Sequence, residues 1–177
     1  AFFKGYIVAS RTESYSLSLY YPIHQSSEWR VKSGRAENGW TNYNFNDQTW
    51  TLATLSVTPV QASGTQYFRK TFTGLANMAA YELALKYRYG IVIYINGVEV
   101  YRDNMPEGAI QSSTLAEGSY SILNYHNILR SGAEVSTTQS VLDIELQFLT
   151  AAGQGLIDFE SLMAINAPTE LDANCYV

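Results

Sequence analysis

A single cysteine, Cys175, stands near the end of the 177-residue chain, which excludes an internal disulfide. Two readings of it stay open: a free terminal thiol, or a partner for a cysteine beyond Val177, the second preferred. Histidine is almost as scarce, with His24 and His126 alone. A hydrolase triad needs a poised histidine and a metal site commonly needs several, so neither has much to build on. No Gly-x-Ser-x-Gly elbow, phosphate-binding glycine loop or His-x-x-x-His pair occurs, and the chain reads as non-enzymatic. The 11 basic residues are outnumbered by 16 acidic ones and are scattered, for a net charge of −5. Nucleic-acid surfaces and anionic-lipid anchors need clustered Lys and Arg, so both partners are excluded. The longest plainly apolar run, Ile91 to Ile95, is far too short to cross a bilayer, and no membrane insertion is expected. No asparagine opens an Asn-x-Ser/Thr sequon. Nor is a signal peptide visible; Ala1 reads as a processed or trimmed end, so the chain's destination is hidden.

What the chain has in quantity is aromatic and aliphatic residue. Hydrophobic residues make up 46% and tyrosine alone supplies 14 positions, which excludes disorder and is strand composition. In Tyr81-Glu82-Leu83-Ala84-Leu85-Lys86-Tyr87-Arg88 the apolar residues recur with a period of two, the mark of a strand with one buried face. Gly90 to Tyr101 follows with Asn96-Gly97 between two β-rich runs, which predicts a hairpin on a type I′ turn. That register sets Ile95 opposite Val98 and Ile93 opposite Val100 as an aliphatic face, with Val92, Tyr94, Glu99 and Tyr101 on the other. Further strands are expected at Ser16–Tyr20, Glu28–Lys32, Tyr67–Thr73, Val141–Phe148 and Leu156–Ile165, and a short helical turn around Asn124–Arg130. Along Val141–Phe148, Leu142, Ile144, Leu146 and Phe148 alternate against Asp143, Glu145 and Gln147. No repeat, low-complexity tract or linker interrupts the chain, so residues 1–177 are drawn as one domain, with 1–25 adding an edge strand and lead-in. Many strands at loop-broken spacing favour a sandwich or barrel.

Several stretches resemble the galactose-binding-domain-like jelly-roll modules appended to large secreted or surface proteins, many of them carbohydrate-active. Phe45-Asn46-Asp47-Gln48-Thr49-Trp50 is similar to the family's Phe-Asp-Asp-x-x-Trp element, with Trp29 or Trp40 as the upstream tryptophan. Tyr67-Phe68-Arg69-Lys70-Thr71-Phe72 resembles its Tyr-Phe-Arg-Lys-x-Phe strand. Val92 to Val100, with Asn104-Met105-Pro106 and Gly108, resembles the hairpin and the loop after it. Asp143-Ile144-Glu145-Leu146 and Asp158-Phe159-Glu160 resemble the closing strands, so the likeness runs over roughly residues 28–165 in the family's order. The chain departs from the family at Arg88-Tyr89-Gly90, where relatives carry acids, and at Gln147, where they often have histidine. The resemblance implies an all-β, two-sheet antiparallel β-sandwich of jelly-roll type. It also implies a non-catalytic, lectin-like accessory domain, extracellular or at the cell surface, with other domains of a parent protein, and glycan or a surface protein, as partners.

Sugar binding needs an aromatic ring to stack on and planar polar groups for hydroxyls. The strand order puts the turn Arg88-Tyr89-Gly90 and the loop from Asp103 to Gly108 at one end of the sandwich, so Arg88, Tyr89, Asp103, Asn104 and Glu107 are candidate ligand-binding residues. The plainer alternative is that Arg88 pairs with a nearby acid and Asn104-Met105-Pro106 only shapes a turn. Trp40, in a polar loop, and Tyr43 beside it form a second stacking candidate, while Trp29 and Trp50 are assigned to the core. No cofactor is required; a structural calcium on Asp47, Asp103, Asn104 or Glu107 is left open. Asp143 and Glu145, about 7 Å apart on one strand face, have the spacing of an inverting glycosidase pair, but are expected to be solvated surface. His126 is expected to be a packed structural residue. The alternative to glycan binding is a structural spacer or protein-docking domain, which an exposed Val92, Tyr94, Glu99, Tyr101 face would favour.

Overall fold

The computed structural model describes residues 19–55, 61–76, 78, 80–121, 123–156 and 159–166. Its strands run in chain order as β1 (Leu19–Ile23), β2 (Glu28–Ser33), β3 (Thr51–Thr54) and β4 (Gln61–Ser63). Then come β5 (Gln66–Phe72), β6 (Ala80–Tyr87), β7 (Gly90–Ile95) and β8 (Val98–Asp103). The last are β9 (His126–Ser131), β10 (Ser140–Gln147), β11 (Gln154–Leu156) and β12 (Phe159–Asn166), with a 3-10 turn at Gly132–Glu134. All pair antiparallel: a four-stranded sheet β1-β12-β6-β9, a six-stranded sheet β3-β2-β5-β10-β7-β8, and the short pair β11-β4. The two larger sheets pack as a jelly-roll β-sandwich, the architecture expected from the sequence.

The core lies between the sheets and follows from the period-two patterns. From the four-stranded sheet come Tyr81, Leu83, Leu85 and Tyr87 of β6, all buried, while their neighbours Glu82, Ala84 and Lys86 are half-buried. From the six-stranded sheet come Phe68, Ile91, Ile93, Ile95, Leu142 and Ile144. Trp29 joins the two layers, its ring edge-on to Phe68 at 6.3 Å and to Phe159 at 6.1 Å. Each such side chain contributes about 1.5–3 kcal/mol by leaving water.

The Asn96-Gly97 turn forms as predicted, with φ of 52° and 84°. Asn96 also plugs the neighbouring loop: its Oδ1 accepts from Val141 N at 2.9 Å, and its Nδ2 donates to Glu134 O at 3.1 Å. The register beyond the turn differs from the expectation. Ile95 faces Val98 and Tyr94 faces Glu99, but a bulge then pairs Ile93 with Tyr101 and leaves Val100 as the extra residue. Val100 is buried and Tyr101 also packs on the core, while Val98, expected on the buried aliphatic face, is 65% exposed at the turn.

Other expectations are corrected too. Asn124–Arg130 is not helical: β9 starts at His126 and pairs with β6 from Leu85↔His126 to Ala80↔Ser131, tertiary pairing overriding a weak local signal. The expected Leu156–Ile165 strand is split into β11 and β12. Of Ser16–Tyr20, only Leu19 onward forms the described strand, β1, at the edge of the four-stranded sheet, and residues 16–18 lie outside the described residues, as do Asp158 and Cys175. The Val92, Tyr94 face is no exposed patch. Val92 is fully buried in a satellite cluster with Met105 and Ala116, because the long loop after β8 folds back over it.

Candidate functional site

Two long loops lie over the outer face of the six-stranded sheet, and what holds them there is polar. Asp143, Glu145 and Gln147 of β10 are 0%, 4% and 2% exposed, so the solvated surface expected of them is in fact a covered layer. β10 is central in its sheet, between β5 and β7, and its outer face meets loop instead of water.

Arg69 is the clasp for the first loop. Register places it beside Asp143, and its Nη1 donates to Asp143 Oδ1 at 2.7 Å. Its Nε donates to Asp47 Oδ2 at 3.2 Å, Nη2 to Asn42 O at 3.3 Å, and Nη1 also to Trp40 O, with the guanidinium 5.2 Å from the Phe45 ring. One buried arginine thus fixes the loop from Trp40 to Asp47 at several points, using the planar fork that lysine lacks. Burial pushes the Asp143 carboxyl up to about 8, with Arg69 pulling the other way and Asp47 reinforcing the rise. Asp143 Oδ2 has no hydrogen-bond partner among the described residues.

So clasped, Trp40 sits half-buried over Tyr67 and Tyr94 at 4.9 and 5.7 Å and stacks on Trp50 at 6.0 Å. Trp50 is buried as expected, but it belongs to this outer aromatic layer and not to the inter-sheet core that holds Trp29. Its Nε1 donates to Glu37 Oε2 at 3.2 Å, and Glu37 also pairs with Lys32, which holds its carboxyl below the usual range. The second loop is tied by Arg102, which donates to Pro106 O at 2.8 Å and Gly108 O at 2.7 Å while gripping Glu99. Further along, the Thr65 hydroxyl lies 2.7 Å from both Ser112 O and Gln147 Oε1, with one proton to give.

Between the loops lies a cleft of about 620 Å³. One wall is Arg35 to Trp40, the other Ile110 to Ser113, and Tyr67 and Glu145 form the floor. Glu145 Oε1 accepts from Gln147 Nε2 at 2.7 Å. Burial raises its carboxyl to about 7, against the pull of Gln147, Tyr67 and Arg102. An aromatic wall, several amide and hydroxyl groups and one carboxylate give the cleft the means to stack a flat ring face and hydrogen-bond its edge.

The other candidate residues fall at the end of the sandwich, where Arg88 and Tyr89 precede β7 and the loop after β8 crosses beside them. Gly90 allows that crossing: a Cβ there would stand 2.9 Å from Asn104 O and closer still to the Met105 side chain. Arg88 is half-buried and its carbonyl accepts from Tyr120 N at 2.6 Å. Tyr89 packs on Phe148 at 5.5 Å. Asp103 accepts from Tyr87 Oη at 2.5 Å and Tyr120 Oη at 3.3 Å, and Asn104, at φ 55°, donates to Gly118 O at 2.7 Å. Asp103 and Asn104 therefore bond the protein's own loops, while Glu107 is exposed. His126 packs between Tyr87 and Tyr120 at 4.5 and 4.8 Å. Of the candidates only Trp40 lines the cleft; Tyr43 is 47% exposed outside it. Among the described residues no three His, Cys, Asp or Glu side chains gather as metal ligands. Tyr67, Arg69 and Glu145 were overlooked as site residues; the signal for them was a polar alternation on a strand flanked by two loops long enough to cover it.

No protein-family model matches the chain, and no curated protein does. Its fold is that of a β-sandwich found within glycosidases. A β-glucuronidase of Bacteroides uniformis superposes with a TM-score of 0.58 at 16% identity, over 84% of this chain and 18% of that one. A glycosyl hydrolase family 2 member of Bacteroides cellulosilyticus gives 0.55 at 10% identity, over 83% and 20%. A Ruminococcus gnavus β-glucuronidase gives 0.52 at 10%, over 93% and 31%. At these identities the likeness shows the fold, and the chain spans less than a third of each neighbour. No helix among the described residues is long and apolar enough to cross a membrane.

Proposed function

We propose that the chain is a non-catalytic glycan-binding module of a larger protein, working outside the cell or at its surface, and that its site is the Trp40 cleft. The observation that carries this is the cleft itself: a half-buried tryptophan, clamped by Arg69, beside amide and hydroxyl groups in a space of about 620 Å³. Sandwich domains occupying a small share of glycosidases support it by analogy of fold. The test is a broad glycan-array screen of the folded domain, with calcium and with chelator. Binding that Trp40→Ala removes supports the reading, and binding lost only in chelator adds a structural calcium to it. A blank from protein shown to be folded overturns it.

A second reading, docking to a neighbouring protein or domain, draws on another surface. Leu123 and Leu129 are 82% and 72% exposed, with Tyr125 nearby at 36%. An array blank together with loss of a partner contact on Leu129→Asp would favour that reading.

A further inference from the structure

We propose, on the reading that the Trp40 cleft binds glycan, that its ligand is an amino sugar with a free ammonium group, its ring face on Trp40 and its ammonium on Glu145. The argument is about which charges in the cleft are already spent. Three charged residues line it: Arg35, Glu37 and Glu145. Glu37 is engaged by Lys32 and by the Trp50 indole N–H. Arg35 is exposed, where solvent and salt weaken its field. Glu145 alone is buried at the floor of an open cleft.

The groups that face Glu145 do not neutralise it. On its own strand Gln147 gives one neutral hydrogen bond to Oε1. From β5 and β7 come the phenols of Tyr67 and Tyr94, whose own ionisation burial and Glu145 both oppose. From β8 comes Arg102, but its Nε and Nη2 are held by Glu99 at 2.8 and 2.7 Å, and Nη1 serves the loop carbonyls. A desolvated carboxylate without its own cation gains most from a ligand that brings one, and an ammonium brings three donors as well. The same carboxylate repels a uronate and offers a neutral hydroxyl only an ordinary hydrogen bond.

The experiment is calorimetric titration of the folded domain with matched oligosaccharides of glucosamine, N-acetylglucosamine, glucose and glucuronate at pH 7. The glucosamine oligomer is expected to bind about tenfold tighter than its acetylated or neutral counterparts, with glucuronate weakest. Glu145→Gln, which keeps the shape, should erase that preference while leaving the neutral oligomers bound. Lowering the pH to 5.5 should weaken the amino sugar in the wild type and not in Glu145→Gln, since Glu145 titrates near 7. Equal affinity for amino and neutral sugars overturns the inference and leaves the glycan reading standing. So does tight glucuronate binding that Arg35→Ala removes, which would make the exposed arginine the selecting charge. No binding of any oligomer overturns both.

Discussion

The two faces of β10 are equally buried and chemically opposite. Leu142, Ile144 and Leu146 look into the sandwich, where apolar contact is all that holds them. Asp143, Glu145 and Gln147 look outward under the loops, held by hydrogen bonds and an ion pair. The first face is what any sandwich needs. The second costs desolvation that apolar residues of the same size would avoid, and what it secures is position: Trp40 and both cleft walls are fixed to it. Burial on one side makes the fold, and on the other it shapes a site.

The sharpest way to break this comparison is Arg69→Ala. It leaves Asp143 buried without its cation and should cost about 3–5 kcal/mol in denaturant unfolding. The double change Arg69→Met with Asp143→Leu should restore most of that stability, while faster amide exchange over residues 40–47 reports a released loop. Stability that fails to return would mean the ion pair holds the fold and not only the loop. On the inner face, Ile144→Ala should cost about 2–5 kcal/mol by opening a cavity, with amide exchange at 40–47 unchanged apart from the global loss.

The acidic groups set a direction in pH. Glu145 moves from an ordinary value of 4.5 to about 7 in the folded protein, so the folded state holds its proton more tightly. Stability therefore falls as pH rises from 4.5 to 7, by at most a few kcal/mol, and is level in this respect above and below that window. Glu145→Gln should flatten that part of the slope in melts run from pH 4.5 to 7.5; Asp143, raised to about 8, keeps its own share. Smallest of all should be Lys86→Ala on the outer face of the other sheet. Lys86 pairs with Glu160 at 3.2 Å in partly exposed surroundings, so its loss should cost under about 1 kcal/mol.

The inner face could be read from the sequence because its causes are local. The alternation of Tyr81 to Tyr87 and the Asn96-Gly97 turn each dictate geometry within a few residues, and both formed as expected. What escaped depended on contacts far along the chain. The Val100 bulge is a slip in a ladder whose residues suit either register. His126–Ser131 becomes a strand because β6 has an edge for it to join. Asp143 and Glu145 alternate as solvated acids do, and only the loops 35–50 and 104–116, arriving from elsewhere, remove the solvent. The cleft was half visible: Trp40 was singled out, but Arg69, which clamps it, was noticed only as part of a strand motif.

The most direct test of the central claim is calorimetric titration of the tightest array ligand into Trp40→Ala beside Arg88→Ala and Asp103→Ala, each with its melting temperature. The cleft predicts at least about tenfold weaker binding for Trp40→Ala at a near-native melting point, with Arg88→Ala close to wild type. Affinity that survives Trp40→Ala and collapses in Arg88→Ala or a still-folded Asp103→Ala would contradict it and put the site at the loop end of the sandwich.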